Sequence, residues 1–315
     1  MIVRWGLSEL PDTLAEVGIA QPLVIASERW RTLDVPHVGW WSEVPSVHVD
    51  VPGEADGILA IGGGSAIDTG KHTSAETGLP VVHVPTTYSG AEWTTFYGVR
   101  SPDRVMRGGG AGARPVAVVY DVDLTLDLPR DQTAGTAMNA LAHCAEALYA
   151  AGRSSQGDEQ ALLGAPLIAD ALPRVLADLS DRRAREELLR GAMHAGHALG
   201  LAGLALAHAM AQALGGAYGL PHGAMNALCL APALGFNAPL VPDEVERFGT
   251  AIGGDAVERS RELAVLGGFE RLRDFGIPEQ DLPALAASAA QRGGNQANPR
   301  PATPAEILGL FGAIY

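Results

Sequence analysis

The sequence predicts an α/β amino-terminal domain with a parallel, Rossmann-like sheet, followed by an all-α domain. Three observations support this prediction. Short apolar segments alternate with helical patterns as far as residue 128, and a glycine-rich turn joins one of these segments to a helix. From residue 130 onward there are helix patterns and almost no strand pattern. Alternation of this kind is typical of parallel sheets. We therefore place an α/β domain at 1–129 and a helical domain at 130–315.

The spacing of apolar residues, together with the glycines and prolines that interrupt helices and strands, predicts the individual elements. The first twenty residues contain a helical segment, residues 30–57 are irregular, and residues 107–112 (RGGGAG) form a flexible turn. The predicted strands lie at 22–27, weakly at 47–49, and at 58–61, 80–85 and 115–120. The predicted helices of the second domain cover about 131–150, 157–178, 181–217, 222–236, 242–253, 257–275 and 304–314.

The turn after the strand at 58–61 is the strongest signal for a ligand. It carries Gly62, Gly63, Gly64 and Ser65, and a helix follows directly. Glycine lets the backbone approach an anion, and the free N–H groups of the first helical turn then face it. Ser65 can cap the helix or donate to a phosphate. A tight turn without a ligand is the alternative, but three consecutive glycines exceed what a turn needs.

A polar loop follows the strand at 80–85. It contains Thr86, Thr87 and Ser89. Ligands gather at the carboxyl edge of a parallel sheet, so these side chains are candidate ligand contacts.

Composition narrows the class of protein. Of 315 residues, 47% are hydrophobic and 18% charged, and the net charge is −14. This charge disfavours nucleic acid and anionic membranes as partners. Cys144 and Cys229 form no CxxC motif or disulfide framework, and the first residues do not resemble a signal peptide, so we expect a cytoplasmic protein. The alanine-rich run at 199–214 is better explained by a buried helix than by a membrane span.

Three histidines of the helical domain form a second candidate site. Asn139 and His143 lie four residues apart, on one helical face, and His208 and His222 follow in apolar segments. Imidazoles in such segments are costly unless paired. They can bind a divalent metal, donate to a substrate oxygen or relay a proton. Taken singly, each is better explained as a hydrogen-bonded core histidine.

With these residues in view, the chain resembles the iron-containing alcohol dehydrogenase superfamily, and within it the maleylacetate reductase branch. The resemblance covers most of the chain and rests on several motifs. These are GGGSAIDTGK at 62–71, PTTYSGAEWT at 85–94, YDVDLT at 120–125, MNALAHCAEALY at 138–149, GG at 215–216, LPH at 220–222, NAP at 237–239 and NPRP at 298–301.

The resemblance implies a dehydroquinate synthase-like architecture with an NAD(H)- or NADP(H)-binding first domain and a helical catalytic domain. It assigns the dinucleotide to the glycine loop with Asp68 and to the loop of Thr86, Thr87 and Ser89. Metal-dependent members hold Fe²⁺ or Zn²⁺ with an Asp and three His. The corresponding positions here are Asn139, His143, His208 and His222.

Asn139 disfavours a divalent metal, because an amide is a weaker ligand than a carboxylate. The reductase branch also has Asn there. The resemblance therefore implies that the histidines act directly on a small, anionic substrate. Lys71 or an arginine near the substrate is a candidate to neutralise its carboxylate. A three-histidine zinc site ranks second. Family analogy further implies a homodimer.

Two departures from the family keep alternatives open. Gln212 stands where the family usually has another histidine near the nicotinamide, and a helix that would flank the adenosine is missing between 44 and 57. Family members that choose NAD often hold an acid near position 27, which is Ser27 here, so NAD and NADP both remain open. The first hypothesis is a reductase of the maleylacetate type acting on an unsaturated oxo-acid or carbonyl substrate. The alternatives are a metal-dependent alcohol dehydrogenase, or a non-redox descendant acting in specialised metabolism.

Overall fold

A computed structural model describes residues 1–100 and 106–315 of the chain. These residues divide into two compact units. The first, here called the α/β unit, comprises Met1–Thr87 and Ala91–Asp127. The second, the helical unit, comprises Tyr88–Gly90 and Leu128–Tyr315.

A six-stranded sheet forms the centre of the α/β unit, in the order β1-β8-β5-β4-β2-β3. All of its paired strands are parallel. Strands β2, β4 and β5 are buried along their whole length, as expected when both faces of a parallel sheet are covered. The strands are β1 (Ile2–Trp5), β2 (Pro22–Ile25), β3 (Gly39–Trp41), β4 (Gly57–Gly62), β5 (Val81–Pro85) and β8 (Pro115–Tyr120).

Helices cover both faces of this sheet. Successive side chains of β4 point to opposite faces of the sheet, so alternate residues pack against different helices. Leu59 and Ile61 pack with the residues of α1 (Leu10–Glu16), whereas Ile58 and Ala60 pack with Ile67 of α2 (Gly64–Thr77). The predicted parallel α/β fold is therefore confirmed.

The edges of the sheet differ from the sequence-based expectation. Strand β1 pairs with β8, although only a helical segment is expected in the first twenty residues. The weak strand expected at 47–49 does not form, and β3 pairs with β2 instead. Short edge strands carry few residues, so their apolar period is too brief to detect.

A second sheet contains two antiparallel strands, β6 (Tyr97–Arg100) and β7 (Met106–Gly110). The turn expected at 107–112 is thus wrong for its first residues, because the glycines of β7 pair with β6. Glycine-rich segments weaken a strand prediction but do not forbid pairing, since main-chain bonds need no side chain.

The helical unit confirms the prediction of an all-α second part. One predicted helix, 181–217, is divided into α5 and α6, which meet at an angle of 100°. Gly203, with φ of 80°, lies at this break. The predicted helix 257–275 ends at Leu266, and α10 and α11 are additional. The helices are α3 (Arg130–Ala147), α4 (Ser155–Ala177), α5 (Arg182–Ala202), α6 (Leu206–Tyr218), α7 (His222–Asn237), α8 (Pro242–Ile252), α9 (Ala256–Leu266), α10 (Leu282–Ala290), α11 (Gly293–Gln296) and α12 (Pro304–Ala313).

Helix α4 is long and apolar enough to cross a membrane by length and composition. Half of its most apolar window is buried within the protein, and Ile168 and Leu172 lie in the core. The bent pair of α5 and α6 passes the same test only if both are counted as one span. We interpret α4 as a core helix of the helical unit, since such helices share this composition.

Candidate functional site

Helix α3 supplies one wall of the histidine cluster. Asn139, His143 and Glu146 stand at positions i, i+4 and i+7 of α3, so they project from one face of the helix. All three are buried, with Glu146 fully so. Alanines occupy much of the rest of α3 and allow neighbouring helices to approach closely. The buried polar stripe is therefore a product of helical spacing within an apolar helix.

The three histidines predicted from the sequence lie side by side. The ring of His143 stacks on that of His208, with 4.7 Å between centroids and 13° between planes. The ring of His222 lies 5.7 Å from that of His208. Helices α3, α6 and α7 each contribute one ring, so the cluster depends on the packing of three separate helices.

The carboxylate of Glu146 contacts both the ring and the main chain of His208. Its Oε2 lies 2.6 Å from His208 Nδ1 and accepts from the Ala205 N–H at 2.8 Å. Its Oε1 accepts from the His208 N–H at 3.2 Å. Ala205, the N-cap residue of α6, offers no side-chain cap, so Glu146 satisfies the first N–H groups of this helix from outside. A carboxylate at a helix N-terminus is also favoured by the helix dipole.

The amide of Asn139 is fixed in orientation. Its Nδ2 donates to the Ser89 carbonyl oxygen at 3.1 Å, so its Oδ1 must face the cluster. There Oδ1 accepts from Asn226 Nδ2 at 2.7 Å and lies 3.3 Å from His208 Nε2. Asn226 Nδ2 also lies 3.0 Å from His222 Nε2. A carbonyl oxygen only accepts, so a hydrogen bond between Asn139 Oδ1 and His208 requires the proton on His208 Nε2.

These contacts test whether the family's metal fits. Both ring nitrogens of His208 face oxygen atoms, Glu146 Oε2 at 2.6 Å and Asn139 Oδ1 at 3.3 Å. Among the residues that the structure describes, no group of three or more His, Cys, Asp or Glu side chains is placed to hold a metal ion. The side chains as arranged do not favour a metal, and the second-ranked metal site at His143, His208 and His222 stays a prediction.

His143 is held as a neutral imidazole. Burial lowers the pKa of His143 well below its usual value, and the nearby His208 and His222 lower it further. Its Nδ1 is buried and has no hydrogen-bond partner among the described residues. A neutral ring with an unused polar atom is suited to hydrogen bonding with a ligand rather than to carrying charge.

The glycine turn of the α/β unit forms a cradle at the end of β4. Gly62 has φ of +146°, and a Cβ on it would lie 2.9 Å from Ala66 Cβ. A Cβ on Gly63 would lie 2.9 Å from Thr87 Cγ2. The turn is therefore closed to side chains but open to backbone contact, which is the property a phosphate site needs.

Neighbouring polar groups complete the cradle. The Thr86 N–H donates to the Gly62 carbonyl oxygen at 3.0 Å and joins the end of β5 to that of β4. Thr87 Oγ1 is buried and lacks a hydrogen-bond partner among the described residues. Helix α2 starts at Gly64, and its N-cap Gly63 supplies no side-chain cap. The cradle therefore fits the pyrophosphate of a dinucleotide, which would satisfy these groups.

Two other predicted residues lie elsewhere. Ser65 is an exposed residue in the first turn of α2 and is not its cap, so capping is excluded and donation to a phosphate stays a prediction. Ser89 belongs to the helical unit, where its carbonyl oxygen orients Asn139. Its Oγ is buried and has no partner among the described residues.

Lys71 has a role different from the predicted one. It is buried, and Nζ donates to the carbonyl oxygens of Ala91 and Phe96 at 2.8 Å each and to Thr94 Oγ1 at 2.9 Å. Nζ also lies 2.7 Å from Asp68 Oδ1, an ion pair outside hydrogen-bond angles. An ammonium has three donors, so none is left for a substrate. The expectation that Lys71 neutralises a substrate carboxylate is therefore wrong, and Asp68 serves this ion pair.

Sequence reasoning missed Glu146 and Asn226 as site residues. Both carry a signal that could have found them. Glu146 lies three residues after His143, and Asn226 lies four residues after His222, so each shares a helical face with a predicted site residue. Their contacts with His208 and Asn139 join residues more than sixty positions apart and are not visible in local spacing.

Comparison with known proteins gives matches along the whole chain. The family described as "Fe-containing alcohol dehydrogenase family, C-terminal" matches residues 133–315, and "Iron-containing alcohol dehydrogenase" matches residues 51–122. Maleylacetate reductase of Sphingobium indicum is 36% identical over 326 residues, which cover 97% of this chain and 92% of the relative.

Solved structures agree with these matches. The crystal structure of maleylacetate reductase from Rhizobium sp. strain MTP-10005 has a TM-score of 0.88 at 28% identity, covering 100% of this chain and 95% of that one. An iron-containing alcohol dehydrogenase from Corynebacterium glutamicum has a TM-score of 0.89 at 28% identity, covering 100% of this chain and 94% of that one.

Proposed function

This chain belongs to the iron-containing alcohol dehydrogenase family and is an oxidoreductase, and from that premise we propose that it is an NAD(P)H-dependent reductase of the maleylacetate reductase type. Its substrate is a small, anionic, unsaturated oxo-acid. The relatives named maleylacetate reductase support this choice within the family, since they match nearly the full chain.

One observation favours a reductase that uses its own side chains over a metal-dependent alcohol dehydrogenase. Asn139 occupies the position of the family's metal-binding aspartate, and its Oδ1 is engaged by Asn226. An amide oxygen that already accepts a hydrogen bond is a poor ligand for Zn²⁺ or Fe²⁺. The histidines therefore act on the substrate directly.

The glycine cradle supports a dinucleotide site in the α/β unit. Gly62, Gly63 and Gly64 would hold the pyrophosphate through main-chain N–H groups, and Thr87 Oγ1 would donate to it. When bound, the nicotinamide supplies the hydride that reduces the substrate.

The histidine cluster supplies the polar groups of the reaction. Hydride addition leaves negative charge on the substrate oxygen, and imidazole N–H groups stabilise such charge. Glu146 fixes the ring of His208, so its donors are oriented before the substrate binds. We assign binding or protonation of this oxygen to His208 and His222, with Asn139 and neutral His143 beside them. His208 Nδ1 stays on Glu146, and His208 Nε2 exchanges its longer contact with Asn139 Oδ1, 3.3 Å, for the substrate oxygen.

A titration with NADH and with NADPH tests the proposal. We expect quenching of protein fluorescence or a thermal shift with at least one cofactor, and loss of absorbance at the nicotinamide band when maleylacetate is added. Saturating amounts of both cofactors without any response would refute the proposal and favour a non-redox descendant of the family.

Variants then test the histidine cluster. Because general acid–base catalysis contributes about 10²–10⁴ to rate, we expect His208→Ala to lower kcat by about that factor while the cofactor Kd stays within threefold. The matched control is His194→Ala on α5, a half-buried histidine that contacts Gln160 Oε1 at 2.8 Å. Equal activity losses in the two variants would contradict the assignment.

Metal analysis separates this proposal from the metal-dependent alternative. We expect the purified protein to retain activity after treatment with a chelator and to contain less than stoichiometric zinc and iron. One metal per chain, with activity lost on its removal, would favour the alcohol dehydrogenase alternative.

Cytoplasmic location and homodimeric assembly stay predictions. Light scattering coupled to size-exclusion chromatography measures the mass directly, and we expect twice the chain mass of 32.7 kDa.

A further inference from the structure

Two exposed arginines follow strand β2, at the edge of the sheet where the glycine cradle lies. β2 is parallel to β4, and Ile25 pairs with Ala60. Two residues further along each strand, Ser27 and Gly62 therefore reach the same edge of the sheet. Arg29 and Arg31 follow within four residues of Ser27, and both side chains are exposed.

Both guanidinium groups lie over tryptophan rings. Arg29 Cζ is 4.4 Å from the centroid of Trp30, and Arg31 Cζ is 5.0 Å from that of Trp40. Trp40 is itself anchored to β2, since its Nε1 donates to the Ala26 carbonyl oxygen at 2.9 Å. Stacking on an aromatic ring positions a guanidinium while its in-plane donors remain available to a phosphate.

The charge around these arginines favours an anion. The whole chain has a net charge of −14, yet residues 27–31 carry two arginines against one acid, Glu28. In the part of the chain that the structure describes, neither Arg29 nor Arg31 forms an ion pair with a carboxylate. Two unneutralised cations in an acidic protein form a local positive site.

The residue at the end of this strand decides between the two dinucleotides in sheets of this kind. An acid there hydrogen-bonds the ribose hydroxyls of NAD, whereas a nearby arginine accommodates the 2′-phosphate of NADP. The register of β2 and β4, extended by two residues, places Ser27 opposite Gly62, and Ser27 is half-buried and uncharged. Glu28 is exposed and opens the short helical turn after it.

We propose that Arg29 and Arg31 bind the 2′-phosphate of NADP(H), so that this chain prefers NADPH to NADH. The inference rests on the proposed function, because it assumes that a dinucleotide binds at the glycine cradle. It goes beyond that function by naming the cofactor and the residues that select it. The paired N–H donors of an arginine match the oxygen atoms of a phosphate. Ser27, at the end of the strand, carries no negative charge that would repel this phosphate.

Equilibrium titrations of the full chain with NADPH and NADH provide the first test. We expect NADPH to bind at least tenfold more tightly, and this preference to shrink as salt increases, since exposed charges are screened. Titration with 2′,5′-ADP and 5′-ADP repeats the comparison without the nicotinamide, and the 2′-phosphate compound should bind more tightly. Equal or tighter binding of NADH overturns the inference but leaves the proposed function intact. Binding of neither dinucleotide refutes both.

Variants locate the preference. Arg29→Ala and Arg31→Ala should each raise the Kd for NADPH about tenfold, because each removes charge-assisted bonds to phosphate, and should leave the Kd for NADH within threefold. Ser27→Asp should reverse the preference. Arg4→Ala is the matched control for lost charge. Arg4 lies on β1, at the opposite edge of the sheet, and forms an ion pair with Glu16.

Glu28→Gln tests the competing assignment. If Glu28 binds the ribose hydroxyls, this variant weakens NADH selectively, which overturns the inference. We expect Glu28→Gln to leave the Kd for NADH within threefold and to keep or increase the preference for NADPH.

Discussion

Replacing Glu146 with glutamine perturbs the group that connects α3 to the first N–H groups of α6 and to the His208 ring. The two carboxylate oxygens face three donors, the N–H groups of Ala205 and His208 and the His208 Nδ1. Glutamine keeps the shape but has only one acceptor oxygen. Whichever way its amide turns, the NH₂ group faces at least one N–H, so a buried donor loses its partner.

The magnitude follows from these contacts. A buried donor without a partner costs about 1–3 kcal/mol, and replacing a charged acceptor by a neutral one costs about 1 kcal/mol more. We therefore expect Glu146→Gln to lower the free energy of unfolding by about 2–4 kcal/mol. His208 also loses the group that orients its ring, and we expect kcat to fall about 10- to 100-fold.

Urea denaturation of the purified chain measures the first quantity, and steady-state reduction of maleylacetate measures the second. Glu186→Gln on α5 is the matched control, because this half-exposed glutamate pairs, among the described residues, only with Arg190 at i,i+4. The control should change stability by less than about 0.5 kcal/mol. If Glu146→Gln were no more destabilising than the control and retained full activity, the reasoning about the cluster would be refuted.

Three further predictions concern the α/β unit. Burial, and then the charge of Lys71, lower the pKa of His83 to about 3. Between this pKa and the usual value of about 6.5, His83 is protonated in the unfolded chain but neutral in the folded chain. Stability should therefore fall as pH drops below about 6.5, by about 2 kcal/mol from this group at pH 5, and urea denaturation of His83→Asn should show a flatter pH dependence than the parent. Lys71 is the only lysine of the chain, so an amine-reactive reagent should label the native protein once, at its α-amine, and the unfolded protein twice, as counted by mass spectrometry; rapid native labelling of Lys71 would contradict its burial. Gly63→Ala should weaken dinucleotide binding about tenfold in a fluorescence titration because its Cβ would press on Thr87, whereas Gly53→Ala, whose Cβ meets nothing within 4 Å, should not; equal Kd values would argue against the cradle.

The spacing of apolar residues was sufficient to predict the main strands and helices. Buried strands such as β4 carry an unbroken apolar run, and most of the helices of the second part follow a helical period over ten or more residues. It was insufficient for β1, β3 and β7, which are short, lie at sheet edges or contain glycines. Their pairing is decided by the neighbouring strand and not by their own side chains.

The candidate site shows the same division. The sequence singled out Asn139, His143, His208 and His222, and the structure places them side by side, while their roles stay predictions. It also suggested that Lys71 is a candidate to neutralise a substrate carboxylate. Only the fold shows that Lys71 holds the segment around Thr94.

By itself, the sequence determined the alternation of strands and helices, the glycine turn and the face of α3 that carries Asn139 and His143, because these features depend on residues close together in the chain. The tertiary structure alone decided that Glu146 caps α6 and that Asn226 engages Asn139. These contacts join residues 59 and 87 positions apart. Such partners are selected by helix packing and by the need to satisfy buried polar groups, and neither leaves a periodic trace in the sequence.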